Sequence, residues 1–125
     1  MPMNIKRIIN IKEDLGKKSC FLFGPRQTGK TWLIRHELEG CRTYNLLNSE
    51  TFLRLSRSPG ILRQECSAGD RIVILDEIQK LPSLLNEVQL LIEERRINFL
   101  LTGSSARKLR RGGVNLLGGR ARVRS

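Results

Sequence analysis

Acidic residues are scarce in this chain. Twelve Asp and Glu stand against 23 Lys and Arg in 125 residues, a formal net charge of +11. No run approaches the ~18–20 consecutive apolar residues of a membrane span. The N-terminus, Met1-Pro2-Met3-Asn4-Ile5-Lys6-Arg7, lacks the apolar core of a signal peptide. Together these absences predict a cytoplasmic protein with no membrane partner. Cysteine is rare too. Cys20, Cys41 and Cys66 have no metal-ligand spacing and no C-x-x-C, so they read as structural thiols in a reducing compartment. No internal repeat is present, and the length fits one domain over residues 1–125.

The basic excess is concentrated at one end. From Arg107 the chain carries Arg107, Lys108, Arg110, Arg111, Arg120, Arg122 and Arg124 without an acid, which is +7 of the +11. Residues 107–125 are therefore a basic C-terminal segment. One reading is an electrostatic surface for nucleic acid or an acidic partner. The other is a solvated helix face and a frayed tail. No aromatic is interleaved there, so the stacking platform that single strands use is missing.

What is present begins with Gly24-Pro25-Arg26-Gln27-Thr28-Gly29-Lys30-Thr31, which reads G-x-x-x-x-G-K-T. Glycines let the backbone curl so that N–H groups converge on an anion at a helix N-terminus, where the helix dipole also favours negative charge. Lys30 would reach the β- and γ-phosphates of a nucleotide, and the Thr31 hydroxyl would bind Mg²⁺. Four fixed positions match by accident in roughly 1% of chains this long, or fewer. The context agrees as well: Cys20 to Phe23 is an apolar run that fits a buried strand, and Trp32 to Glu39 fits a helix ended by Gly40.

Arg71-Ile72-Val73-Ile74-Leu75-Asp76-Glu77 is the second strong signal. Its β-branched apolar run fits a strand buried on both faces, with two carboxylates at the C-terminal end, where parallel sheets bind ligands. Asp76 would join the Mg²⁺ shell and Glu77 would orient the attacking water.

Around these, residues 4–15 predict a helix stopped by Gly16, and Cys41 to Leu46 a short strand. A short helix follows through Phe52, Leu53 and Leu55. Ser58-Pro59-Gly60 predicts another helix start, with Ser58 as N-cap. Ser67 to Asp70 is a turn. Pro82-Ser83 opens a helix whose Leu84, Leu85, Val88, Leu91 and Ile92 share one face. Asn98 to Thr102 is a fourth strand, followed by Gly103-Ser104-Ser105. Hydroxyls at that tip suit either contact with a γ-phosphate or helix capping; both readings stand level for Ser104 and Ser105, and the γ-phosphate is favoured for Thr102.

G-P-R-Q-T-G-K-T at Gly24 to Thr31, L-D-E-I-Q-K-L-P at Leu75 to Pro82 and L-T-G-S-S at Leu101 to Ser105 resemble a bacterial and archaeal group of AAA-type ATPases. In that group an ATPase domain is followed by a C-terminal domain. The resemblance spans roughly residues 5–121. It implies a three-layer α/β/α P-loop NTPase core with a mostly parallel sheet in the order 5-1-4-3-2, and ATP with Mg²⁺ as the ligands. It makes Glu77 the catalytic carboxylate and Thr102 or Ser104 the polar sensor. Arg120 lies where an arginine finger would reach a neighbouring subunit's nucleotide, implying a homo-oligomer or a protein partner. Asn45 matches a residue that would hold Glu77 in an inactive pose. The lid and the C-terminal domain have no counterpart here, and Arg122-Val123-Arg124-Ser125 lacks the apolar character of a fifth strand. The sequence thus predicts a truncated AAA-type ATP-binding domain whose fifth strand is missing or incomplete. Three functions stay open: Mg-dependent ATP hydrolysis, nucleotide binding without turnover, and a nucleic-acid-associated role for the basic segment.

Overall fold

The computed structural model describes residues 13, 15–16, 18–23, 36, 38–67 and 69–104, and the backbone of 121–124. The architecture is α/β. Five strands, β1 (Ser19–Phe23), β2 (Arg42–Asn45), β3 (Ile72–Asp76), β4 (Asn98–Gly103) and β5 (Ala121–Arg124), form one parallel sheet in the order β2-β3-β4-β1-β5. Three helices are described in full, α1 (Ser49–Arg57), α2 (Ile61–Glu65) and α3 (Leu84–Arg95), with a 3-10 turn at Ile78–Lys80. The predicted first helix falls outside the described residues except for Glu13 and Leu15, both helical, and Gly16 follows them in a turn.

The strand sequences show why the sheet is covered on both sides. Successive side chains of a strand point to opposite faces. Phe21 and Phe23, Val73 and Leu75, Phe99 and Leu101 join one buried cluster with Leu55, Leu62, Leu85, Val88 and Leu91 from the helices. The alternate residues Cys20, Leu22, Ile74 and Leu100 join a second cluster with Leu15 and Leu38. A strand that buries both faces needs a continuous apolar run, and β1, β3 and β4 each have one. β2 is the opposite case. It sits at the sheet edge with only Tyr44 buried.

Two local predictions need correction. The expected missing or incomplete fifth strand is present as β5, pairing parallel to β1 with Ser19 opposite Ala121 and Leu22 opposite Arg124. The ladder is a backbone bond pattern, and an edge strand has only one partner, so A-R-V-R does not need the apolar run of an interior strand. β1 is therefore flanked on both sides, by β4 and β5. Second, Ser58 does not cap the next helix. It ends α1, donating its N–H to the Arg54 carbonyl at 3.2 Å, and α2 begins only at Ile61 after Gly60. Pro59 occupies the intervening turn, where its fixed φ is compatible with either assignment.

Capping is otherwise as local chemistry dictates. Asn48 Oδ1 accepts the Thr51 N–H at 3.0 Å and starts α1. Gly40 has φ +87, the left-handed value that glycine adopts without steric cost, and it turns the chain towards β2. The turn before β3 closes through Asp70, whose carboxylate accepts the Ser67 N–H at 3.0 Å and pairs with Arg42 at 3.1 Å.

Candidate active site

All five strands are parallel, so their C-terminal ends share one pole of the sheet. β1 ends there at Phe23, immediately before Gly24-Pro25-Arg26-Gln27-Thr28-Gly29-Lys30-Thr31, and Phe23 stands opposite Gly103 at the end of β4. β3 ends at the same pole in Asp76, and Glu77 follows it. Gly24 to Thr31 and Arg120 lie outside the described residues. Asp76, Glu77, Thr102 and Ser104 lie within them, and the topology gathers these four.

Thr102 is fully buried and joins the two central strands. Its hydroxyl donates to Asp76 Oδ1 and accepts the backbone N–H of Glu77 at 3.1 Å. One threonine side chain thereby uses both its donor and an acceptor position. This fixes the half-buried Asp76 carboxylate and satisfies a backbone N–H that would otherwise be buried without a partner.

Glu77 is held more tightly than a solvated acid. It is 3% exposed and adopts φ 63, ψ 51, the left-handed region that a non-glycine residue enters at a cost of about 1–3 kcal/mol. The turn that follows brings Gln79 back to it, and Gln79 Nε2 donates to Glu77 Oε2 at 2.5 Å and to Ser104 Oγ at 3.2 Å. Gln79 thus links the end of β3 to the tip of β4. Glycine at 103 makes room for that link. A Cβ there would stand 2.6 Å from Gln79 Oε1 and 3.3 Å from the Phe23 ring.

The role of Gln79 escapes sequence reasoning, although the residue lies inside L-D-E-I-Q-K-L-P. Two residues beyond an acid is not a spacing that brings side chains together in a helix, and the chain leaves the strand before Gln79. The left-handed turn at Glu77 makes the contact, and nothing in the composition announces it. Asn45 stands beside Asp76 in the β2–β3 register, and its Oδ1 accepts the Leu47 N–H at 3.0 Å. In that contact it shapes the turn out of β2.

The donor set suits a cation that keeps most of its ligands from solvent and phosphate. Among the described residues no cluster of three or more His, Cys, Asp or Glu could hold a metal. Mg²⁺ at a phosphate site usually rests on one or two protein oxygens. Asp76 has that capacity, because a carboxylate offers about four acceptor positions and Thr102 takes one.

The chain matches the family model described as "AAA domain" over residues 16–125. A search of curated proteins finds no match. Among solved structures it is similar to a provisionally assigned primosome component from Streptococcus pyogenes serotype M3. The TM-score is 0.55 at 14% identity, over 95% of this chain and 76% of that one. It is also similar to domain III of the Thermotoga maritima replication initiation protein DnaA. There the TM-score is 0.51 at 14% identity, over 96% of this chain and 60% of that one. Identities this low carry the fold and not the activity. The fold, the pole at which the acids gather and the family match agree: this chain belongs to the AAA domain family.

Proposed function

We propose that this domain binds ATP with Mg²⁺ and hydrolyses it at the C-terminal pole of the sheet. The observation that carries the proposal is the bridged pair at the end of β3. A half-buried Asp76 and a buried, conformationally strained Glu77 are both tied to Thr102 of β4, the strand that lies between them and β1, which the G-x-x-x-x-G-K-T loop follows. Solvated acids at the end of a core strand need none of this.

In this reading the backbone amides of Gly24, Pro25, Arg26, Gln27, Thr28, Gly29, Lys30 and Thr31 that carry an N–H cradle the phosphates. Proline contributes no donor. The Lys30 ammonium offsets charge on the β- and γ-phosphates, and Thr31 and Asp76 hold Mg²⁺, which supplies further charge neutralisation there. Glu77 orients and polarises the attacking water, and Thr102 and Ser104 report on the γ-phosphate position. Gln79 is a positioning residue: by holding Glu77 against Ser104 it makes the pose of the water-orienting carboxylate depend on the tip of β4. Arg120 would act as an arginine finger towards a second copy. The catalytic contribution is positioning and electrostatics, with no covalent step on the protein.

Phosphate release under saturating Mg-ATP tests this. Glu77→Gln is expected to lower turnover about 10²–10⁴-fold while nucleotide binding persists. Turnover equal to that of the unaltered chain would remove Glu77 from the reaction. Binding without turnover in the unaltered chain would leave a nucleotide-binding module.

A further inference from the structure

The opposite pole of the sheet carries a second anion-attracting feature. Leu15 and Gly16 before β1, Arg71 and Ile72 at the start of β3, and Arg96 and Asn98 at the start of β4 meet Arg95 of α3 around a cavity of about 380 Å³. Three arginines line it, with no carboxylate among the described lining residues. Of the described acids, Asp70 pairs with Arg42, Glu65 with Arg54 at 2.8 Å, and Glu87 with Arg63 at 2.7 Å. No carboxylate is paired with Arg71 or Arg96 among the described residues, and both are exposed. Arg95 is fixed in place. Its Nη1 donates to the carbonyls of Arg63 and Cys66, at 2.6 and 2.5 Å. Arg96 ends α3 in the left-handed region at φ 54, which turns the chain from helix to strand at this spot.

Arg95 also lines an adjoining cavity of about 550 Å³ with Arg63, Gln64 and Glu94. Arg95 is thus shared by two adjoining cavities, the first lined by arginines without an acid among the described residues and the second of mixed charge, with Glu94 in its lining and Arg63 paired to Glu87. Among the described residues neither cavity is lined by an aromatic ring, so those residues offer no stacking surface for an unpaired base. The Arg fork matches phosphate oxygens bidentately, and successive phosphates along a duplex present a repeated target for it.

We propose that the arginine cavity of Arg71, Arg95 and Arg96 binds the phosphate backbone of double-stranded nucleic acid without base readout, at the pole opposite the nucleotide site. Strands of about five residues separate the two poles by roughly 17 Å, so both ligands fit at once.

The test is fluorescence anisotropy of a short labelled DNA duplex with the full chain across a salt series. Arg71→Ala/Arg96→Ala removes two exposed cations that make no core contact, and its melting transition is checked against the parent. Duplex affinity at low salt is expected to fall roughly tenfold or more, and the slope of log K against log salt to flatten by about 1–2. The comparison variant replaces Arg107, Lys108, Arg110 and Arg111 by alanine. Two outcomes overturn the proposal. One is a loss confined to that variant while Arg71→Ala/Arg96→Ala binds as the parent does. The other is competition by poly-glutamate as effective as that by unlabelled duplex of equal charge, which would assign the cavity to acidic protein.

Discussion

Thr102 is a small side chain on which two larger groups depend. Replacing it by valine keeps the shape and removes the hydroxyl that receives the Glu77 N–H and restrains Asp76. A buried N–H without a partner costs about 1–3 kcal/mol. Urea denaturation of Thr102→Val is expected to show a loss of that size, with Thr102→Ser recovering most of it. Equal stability of the valine variant would mean that water or a rearranged turn replaces the hydroxyl. Glu77 shows the complementary behaviour. Its left-handed backbone suits glycine better than glutamate, so Glu77→Gly is expected to keep or slightly raise stability while turnover is lost. A destabilisation of more than about 1 kcal/mol would place the value of Glu77 in its contacts and remove strain from the account.

At the scale of elements, the link between β3 and β4 depends on the close packing at the end of β4. Gly103→Ala would bring a methyl into Gln79 and the Phe23 ring. Overpacking of this kind costs about 1–3 kcal/mol, and the displaced Gln79 should lower turnover more than nucleotide affinity. Steady-state kinetics beside a thermal melt separates the two effects, and an unchanged kcat would show that Gln79 does not position Glu77. The same scale shows what is legible in the sequence. β1, β3 and β4 announce themselves because strands buried on both faces need unbroken apolar runs, and the acids at the end of β3 are visible for the same reason. β5 does not, because its pairing to β1 is a backbone property that Arg122 and Arg124 neither signal nor prevent. Ser58-Pro59 misleads because its turn chemistry serves the end of one helix as well as the start of the next. Gln79 is hidden because only a left-handed residue at 77 folds it back onto Glu77.

Over the whole molecule, an ionisable network outside the candidate site makes stability depend on pH. The Ser67 N–H and then Arg42 hold the Asp70 carboxyl below its usual range, and the Tyr44 hydroxyl at 2.8 Å and then Arg54 do the same for Glu65. Both favour the ionised form in the folded chain. Their stabilisation is complete above the ordinary carboxylate values near about 4 and is lost as pH falls through the lower folded values. Burial first, and then Glu65, pushes the Tyr44 phenol up, so its contribution is present below about 10 and lost as pH rises beyond it. Urea midpoints are therefore expected to be flat near neutrality and to drop at both extremes, with a shallower acid limb in Asp70→Asn/Glu65→Gln. An acid limb unchanged in that variant would assign acid unfolding to other carboxylates. Among the described residues no helix is long and apolar enough to cross a membrane. The proposed nucleotide site lies at the pole where β1, β3 and β4 end. Trp32, the only tryptophan, follows Lys30 by two residues and should report on the loop. Its fluorescence under titration with Mg-ATP, with occupancy checked by equilibrium dialysis, is the most direct test. Saturable binding that Lys30→Ala abolishes is the expected outcome. Absence of binding by both methods, or equal binding by Lys30→Ala, would contradict it.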